Sequence, residues 1–289
     1  MTERRLMELA TTATTRARDA VASATGALSS GVAVGRASDD PVRWAQGKVA
    51  QARAAVSAGH ARSIDVARGQ LDQADGALDS VGEVLRRAQE LGTQMATGVM
   101  SATERAGAAE EVGQLRQTLI GLLDSRAGDG EYLFAGAGGD VAPFDAAGAY
   151  VGTADVRAVV SGEALTQLAS LPGATFTAAN GVDILATLDG LATSLAADDQ
   201  AGVQGWLDPV AAAIDQVAGA RTTIGVRLEA LDQAEQARGG LALGLAEELD
   251  RAVAADPIAA ASRLTQAATA LEGARAAAAR IVALLNQGG

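Results

Sequence analysis

The sequence predicts a mainly α protein: a long antiparallel, coiled-coil-like helical bundle built from the N- and C-terminal halves, with a small inserted β-rich domain and terminal segments that are disordered in the monomer. Three observations carry this reading. Aromatic residues make up only 2% of the 289 residues, whereas alanine supplies about a quarter of them, a composition suited to narrow helix seams and not to aromatic-rich cores. Apolar residues recur at alternating steps of three and four over long stretches of both halves. Between those stretches lies a glycine-rich segment that holds most of the aromatic side chains.

Residues 1–40 carry Leu6, Leu9, Ala13, Ala17, Ala20 and Ala24, a thin stripe of mostly methyl groups that buries little area by itself. They read as an N-terminal assembly segment, disordered when free. Pro41 has the fixed φ suited to a first helical position and opens a rod segment over 41–127. Its seam runs through Leu71, Ala74, Leu78, Val81, Leu85, Ala88, Gly92, Met95, Val99 and Ala102. A break falls around Gly98 to Gly107, and Val112, Leu115, Leu119 and Leu122 resume the spacing. Residues 128–181 form the insertion, with β-prone runs at 131–135, 149–153 and 156–160. The returning rod, 182–255, keeps the alternation through Val210, Ile214, Val217, Ile224, Leu228, Leu231, Leu245, Leu249 and Ala252, with Arg221, Glu235 and Arg238 as charged defects. Asp256 and Pro257 read as an N-cap and first helical residue, starting a C-terminal assembly helix over 256–289 that carries Ala261, Leu264, Ala268, Leu271, Arg275, Ala278, Val282 and Leu285.

Composition narrows function. With 23 Lys and Arg against 35 Asp and Glu, the formal charge of -12 disfavours a phosphate backbone as partner, so no nucleic acid is expected. Cysteine is absent and His60 is the sole histidine, which removes thiolate sites and leaves any histidine-based metal or triad chemistry with one imidazole. No cofactor and no metal are implied. Adjacent carboxylates occur at Asp39 and Asp40, Glu110 and Glu111, Asp198 and Asp199, and Glu247 and Glu248, but neighbouring residues on a helix face different ways, so solvated charge explains them better than an acid–base pair. No catalytic residues are assigned and the chain is read as a non-enzyme. No apolar run approaches a membrane span, and the start lacks the apolar core of a cleavable signal peptide, so no membrane insertion is expected.

Where the loop meets the long helix stand Ser38, Asp39, Asp40 and Pro41. An acidic side chain just before Pro41 can accept hydrogen bonds from the first helical N–H groups and complement the helix dipole, making Ser38 or Asp40 the cap.

These residues also carry a resemblance. Leu28-Ser-Ser-Gly31 followed by Ala37-Ser-Asp-Asp-Pro41 looks like the N-terminal signature of the flagellin superfamily. Gly130-Glu-Tyr-Leu-Phe-Ala-Gly136 with Ala142-Pro-Phe144 and Tyr150-Val-Gly152 resembles the β-domain entry of that superfamily's hook-filament junction subunits, placing Tyr132, Phe134, Gly136 and Phe144 there. The run from Leu264 to Gly273 and on to Asn286 is similar to their closing helix. The resemblance implies a structural adaptor of the bacterial flagellum, exported through the flagellar type III channel without a cleavable signal peptide and working outside the cell. Its implied partners are another hook-associated protein, flagellin, its own copies in a ring and an export chaperone at the C-terminal helix. Coupled folding and binding would place Leu6, Leu9, Val21, Leu28, Leu271, Ile281, Val282, Leu284 and Leu285 at subunit and chaperone contacts. A filament-forming flagellin and a cytoplasmic coiled-coil signalling scaffold remain as alternatives.

Overall fold

The structure, a computed structural model, describes residues 3–162 and 165–287, with side chains from Arg4 to Leu284. Among the described residues are six α-helices, α1 (Glu3–Ser30), α2 (Pro41–Met95), α3 (Ala102–Leu123), α4 (Ile184–Ala196), α5 (Gln200–Val253) and α6 (Pro257–Gln287), and two strands, β1 (Ala158–Gly162) and β2 (Leu165–Leu168). The chain divides into two compact units, one of residues 57–239 and one of residues 1–56 with 240–289.

The larger unit is organised by α2 and α5, whose contacts climb one helix as they descend the other. The side-chain amides of Gln200 and Gln204 both donate to the Ala96 carbonyl, at 2.9 and 3.0 Å. Leu207 packs on Gly92, Arg221 pairs with Asp75 and Asp79, Arg68 with Asp232 and Glu235, and Arg238 donates to the Ser57 carbonyl. The helices are therefore antiparallel, and all three charged defects of the α5 seam are answered from α2. Arg221 sits between two carboxylates, the Asp75 pair first among them, and is held more firmly protonated than an ordinary guanidinium. Leu71, Leu78, Leu85, Val210, Ile224 and Leu231 are buried at the expected seam positions.

The seam ends one turn earlier than its spacing suggests. Val99, placed on the stripe by its spacing, is 90% exposed in the turn joining α2 to α3. The reason is local: Ser101 caps α3 by accepting from the Glu104 N–H, while Glu104 accepts from the Ser101 N–H at 2.7 Å. Those bonds hold the Glu104 carboxyl below the usual carboxylate range, with the Ser101 backbone donor the main cause. The helix thus restarts at Ala102, and Gly107 lies inside α3 and not in the break. Helix α3 packs against α4, whose first turn Asp183 caps by accepting from the Leu185 and Ala186 N–H groups.

Residues 127–181 hold less strand than their composition suggests. β1 and β2 pair antiparallel, with a bulge between Val160 and Gly162. The runs 131–135 and 149–153 make only single bridges, Arg126 with Tyr132 and Phe144 with Tyr150. Gly130, Gly136 and Gly148 lie at φ +90°, +82° and +91° and turn the chain too often for strands to extend. At Gly136 the requirement is absolute, because a Cβ would clash with the Thr153 carbonyl oxygen. Phe134 and Phe176 meet edge to face, centroids 6.0 Å apart, in the same core as the helices.

The smaller unit pairs α1 with α6. Gly31, at φ +71°, terminates α1. The chain then crosses the end of α5: Ala33 and Val34 donate to the Val253 carbonyl, and the Ala255 N–H donates to that of Gly31 at 2.8 Å. Since α6 starts beside the end of α1, the two helices run antiparallel. Gly47 of α2 lies where a Cβ would come within 2.8 Å of Val253, so the contact of α2 with α5 here needs glycine.

Leu78 is fully buried, and Leu78→Ala should lower the stability of the larger unit by about 2–5 kcal/mol in urea denaturation. Asp75→Ala, at the half-exposed Arg221 pair, should cost about 1 kcal/mol or less.

Candidate assembly surface

Among the described residues the smaller unit has an alanine core. Its buried apolar side chains are Ala10, Ala17, Ala24, Ala50, Ala252 and Ala260, and only Val34 and Leu245 are larger. Each buried methyl group contributes on the order of 1 kcal/mol, against two to three times that for a leucine. The large buried side chains, Phe134, Phe176 and the leucines and isoleucines, lie in the other unit.

The large apolar residues of the smaller unit are instead on its outside. Leu9, Leu28, Val282 and Leu284 are exposed, Leu284 by 69%, whereas Leu6, Val21, Leu271 and Ile281 are half-buried along the α1/α6 seam. The side chain of Leu285 lies outside the described residues. The inward face of α6 runs through Ala260, Leu264, Ala267, Leu271, Ala274, Ala278 and Ile281, so Ala261, Ala268, Arg275 and Val282 of the sequence stripe point away. On α1 the inward residue is Ala10, one position past Leu9. An alanine-rich helix has several near-equivalent apolar stripes, and spacing alone cannot choose among them.

The loop leading into α2 is fixed by two adjacent carboxylates with separate duties. Asp39 accepts from the Gly35 and Arg36 N–H groups at 3.1 and 2.9 Å and closes the loop on itself. Asp40 accepts from the Val42 and Arg43 N–H groups, both at 3.0 Å, and is the cap of α2, with Pro41 behind it as first helical residue. Ser38 makes only a long contact to Asp39. Arg43 then reaches to the Arg251 and Ala254 carbonyls, at 3.1 and 3.4 Å, covering groups that the end of α5 leaves unpaired. Nothing in the sequence pattern flagged Arg43, because its partners lie two hundred residues away. Asp256 caps α6 by accepting from Ile258 and Ala259. Beside it lies a groove of about 640 Å³, lined by alanines of α1 and α6 together with Arg43, Asp256 and Arg263.

The other paired carboxylates have structural partners too: Glu111 with Arg87, Asp198 with Arg105, Glu247 with Arg251, and Asp199 with the Gly202 N–H at the start of α5. Among the described residues no cluster of three His, Asp or Glu could hold a metal ion, and no helix is long and apolar enough to cross a membrane. In the insertion, Phe134 and Phe144 are buried, Gly136 makes its obligatory turn, and Tyr132 stacks under Arg126 with the guanidinium 3.9 Å from the ring centroid. These residues fasten the insertion to its own unit and present no open chemical site.

Residues 5–138 match the family described as the bacterial flagellin N-terminal helical region. The relatives in view are hook-associated proteins. Flagellar hook-associated protein 3 of Salmonella typhimurium is 32% identical over 126 residues, which are 43% of this chain and 40% of that protein. The aligned part thus spans about two fifths of that relative. The crystal structure of Xanthomonas campestris FlgL matches with a TM-score of 0.62 at 17% identity, covering 68% of this chain and 98% of that one. The flagellar junction protein FlgL from Legionella pneumophila matches with a TM-score of 0.57 at 15% identity, covering 72% and 100%. The chain thus shares the hook-associated protein fold and resembles the flagellin superfamily through its N-terminal helical region.

Replacing Asp40 with Ala should cost about 1 kcal/mol, seen as a lower melting temperature of the smaller unit, while Ser38→Ala should leave melting unchanged.

Proposed function

We propose that this chain is a structural subunit of the bacterial flagellum, an adaptor that joins a hook-associated ring to the flagellin filament. The observation that carries the reading is the inverted distribution of apolar bulk in the smaller unit: alanine inside, Leu9, Leu28, Val282 and Leu284 outside. A helix pair built this way gains little from folding alone and much from neighbours that cover its outer face, so its ordering is coupled to assembly. The similarity to hook-associated protein 3 of Salmonella typhimurium and to the junction protein fold supports the place of that assembly. On this reading the subunit leaves the cell through the flagellar export channel with α1 and α6 loosely ordered, an export chaperone covers α6, and copies form a ring between another hook-associated protein and flagellin. The chemistry is packing throughout, with no catalytic step.

Deletion of the gene tests the role. Cells should keep intact hooks, lose their filaments and release unassembled flagellin into the medium; filaments that persist would refute it, and purified chain that grows long filaments when seeded would assign it to the filament instead. The surface is tested separately with Leu271→Asp combined with Val282→Asp. This variant should lose chaperone binding and fail to restore filaments, while the cooperative unfolding of the larger unit stays at its native midpoint.

A further inference from the structure

Within the smaller unit, two helix faces are exposed, apolar and opposite in charge. On α2, Val42, Val49 and Val56 recur every seven residues and are 67%, 50% and 60% exposed, the spacing of a coiled-coil seam without its partner. Every charged residue of α2 in this unit, Arg43, Lys48 and Arg53, is cationic, and Arg53 lies one turn beyond Val49 on the valine face. On α5, Leu243 is 70% exposed, and Glu247, which also pairs with Arg251, and Asp250 follow it at i+4 and i+7 on the same face, opposite the buried Leu245 and Ala252. The inward sides of both helices are already used, Gly47 against Val253 and Ala252.

We propose that the chain packs on a second copy of itself through these two different faces, the cationic valine stripe of α2 in one copy against the acidic Leu243 face of α5 in the next. The occupant is argued from complementarity. Solvated helix faces rarely repeat valine at heptad spacing, and the acidic, leucine-bearing surface that would cover this stripe is supplied by the same chain. Because the two faces differ, the contact is heterologous: each copy offers one and receives the other, and a succession of copies closes into a ring if the rotation permits. The inference rests on the subunit reading above and gives it a specific lateral contact. Opposite charges set partner choice and register, and make the contact weaken with salt.

The absence of cysteine makes the test clean. Purified full-length chains carrying Val42→Cys, Val49→Cys or Val56→Cys are mixed, at high concentration and low salt under mild oxidation, with chain carrying Leu243→Cys. At least one valine position should give a mixed dimer about tenfold more abundant than either like-with-like dimer, the effect of one well-placed charge pair. The same excess should hold over mixtures using Val141→Cys, an exposed position outside this unit. Adding Glu247→Lys and Asp250→Lys to the leucine chain should erase the excess, and Lys48→Glu with Arg53→Glu on the valine chain should restore it. Equal yields throughout, like-with-like dimers in the majority, or an excess indifferent to charge reversal would overturn the contact. Circular dichroism confirms that each variant remains helical. Purified protein reads this contact and the deletion strain reads the flagellar role, so either can fail while the other stands.

Discussion

Antiparallel closure of α2 on α5 between residues 57 and 239 is the constraint from which the larger unit takes its form. Leucine, isoleucine and valine fill the seam, and the places where a charge interrupts it are each matched from the opposite helix, Arg221 by Asp75 and Asp79, Glu235 by Arg68, Arg238 by a backbone carbonyl. A half-exposed ion pair contributes little energy, but pairs placed at intervals along a seam penalise any slip of one helix past the other, because a shifted register leaves charges facing leucine. The insertion and the α3/α4 pair share the core of this rod.

The same chain spends its side chains differently in its two units. Residues 57–239 hold 11 basic and 25 acidic residues around a core of large apolar groups; residues 1–56 with 240–289 hold 12 basic and 10 acidic residues around alanine. The first combination carries a net charge of -14, 11 basic against 25 acidic residues, and repels its like. The second carries little net charge and little internal hydrophobic energy, which suits a surface completed by neighbours.

Much of the rod was legible in the sequence because coiled-coil seams are local and periodic: Leu71 to Met95 and Val210 to Ala252 can be read from spacing alone. The glycine-rich insertion was legible as a place but not as a pairing, since glycines that free φ also interrupt strands, and the outcome at 131–135 and 149–153 depends on turn bonds such as Tyr132 to the Gly139 carbonyl. The end of the seam at Met95 was decided by a capping box at Ser101 and Glu104 that competes with the apolar repeat. Least legible were the terminal helices. Where most residues are alanine the apolar stripe is nearly degenerate, so spacing alone does not tell that Ala10 and not Leu9, or Ile281 and not Val282, faces the partner helix, while Arg43 acts on carbonyls far along the chain.

The interface of α1 and α6 has one mechanical property that follows from its chemistry. Large side chains interdigitate in a single register and resist sliding, whereas a row of methyl groups at near-equal spacing offers several alignments of comparable energy. Between α1 and α6 the bulky anchors are few, Leu6 and Val21 on one side and Leu264, Leu271 and Ile281 on the other, all half-buried, and backbone hydrogen bonds and a cap fix the Gly31 and Asp256 end. With so few large side chains interlocked, the lengthwise alignment of α1 on α6 is held more weakly than that of α2 on α5.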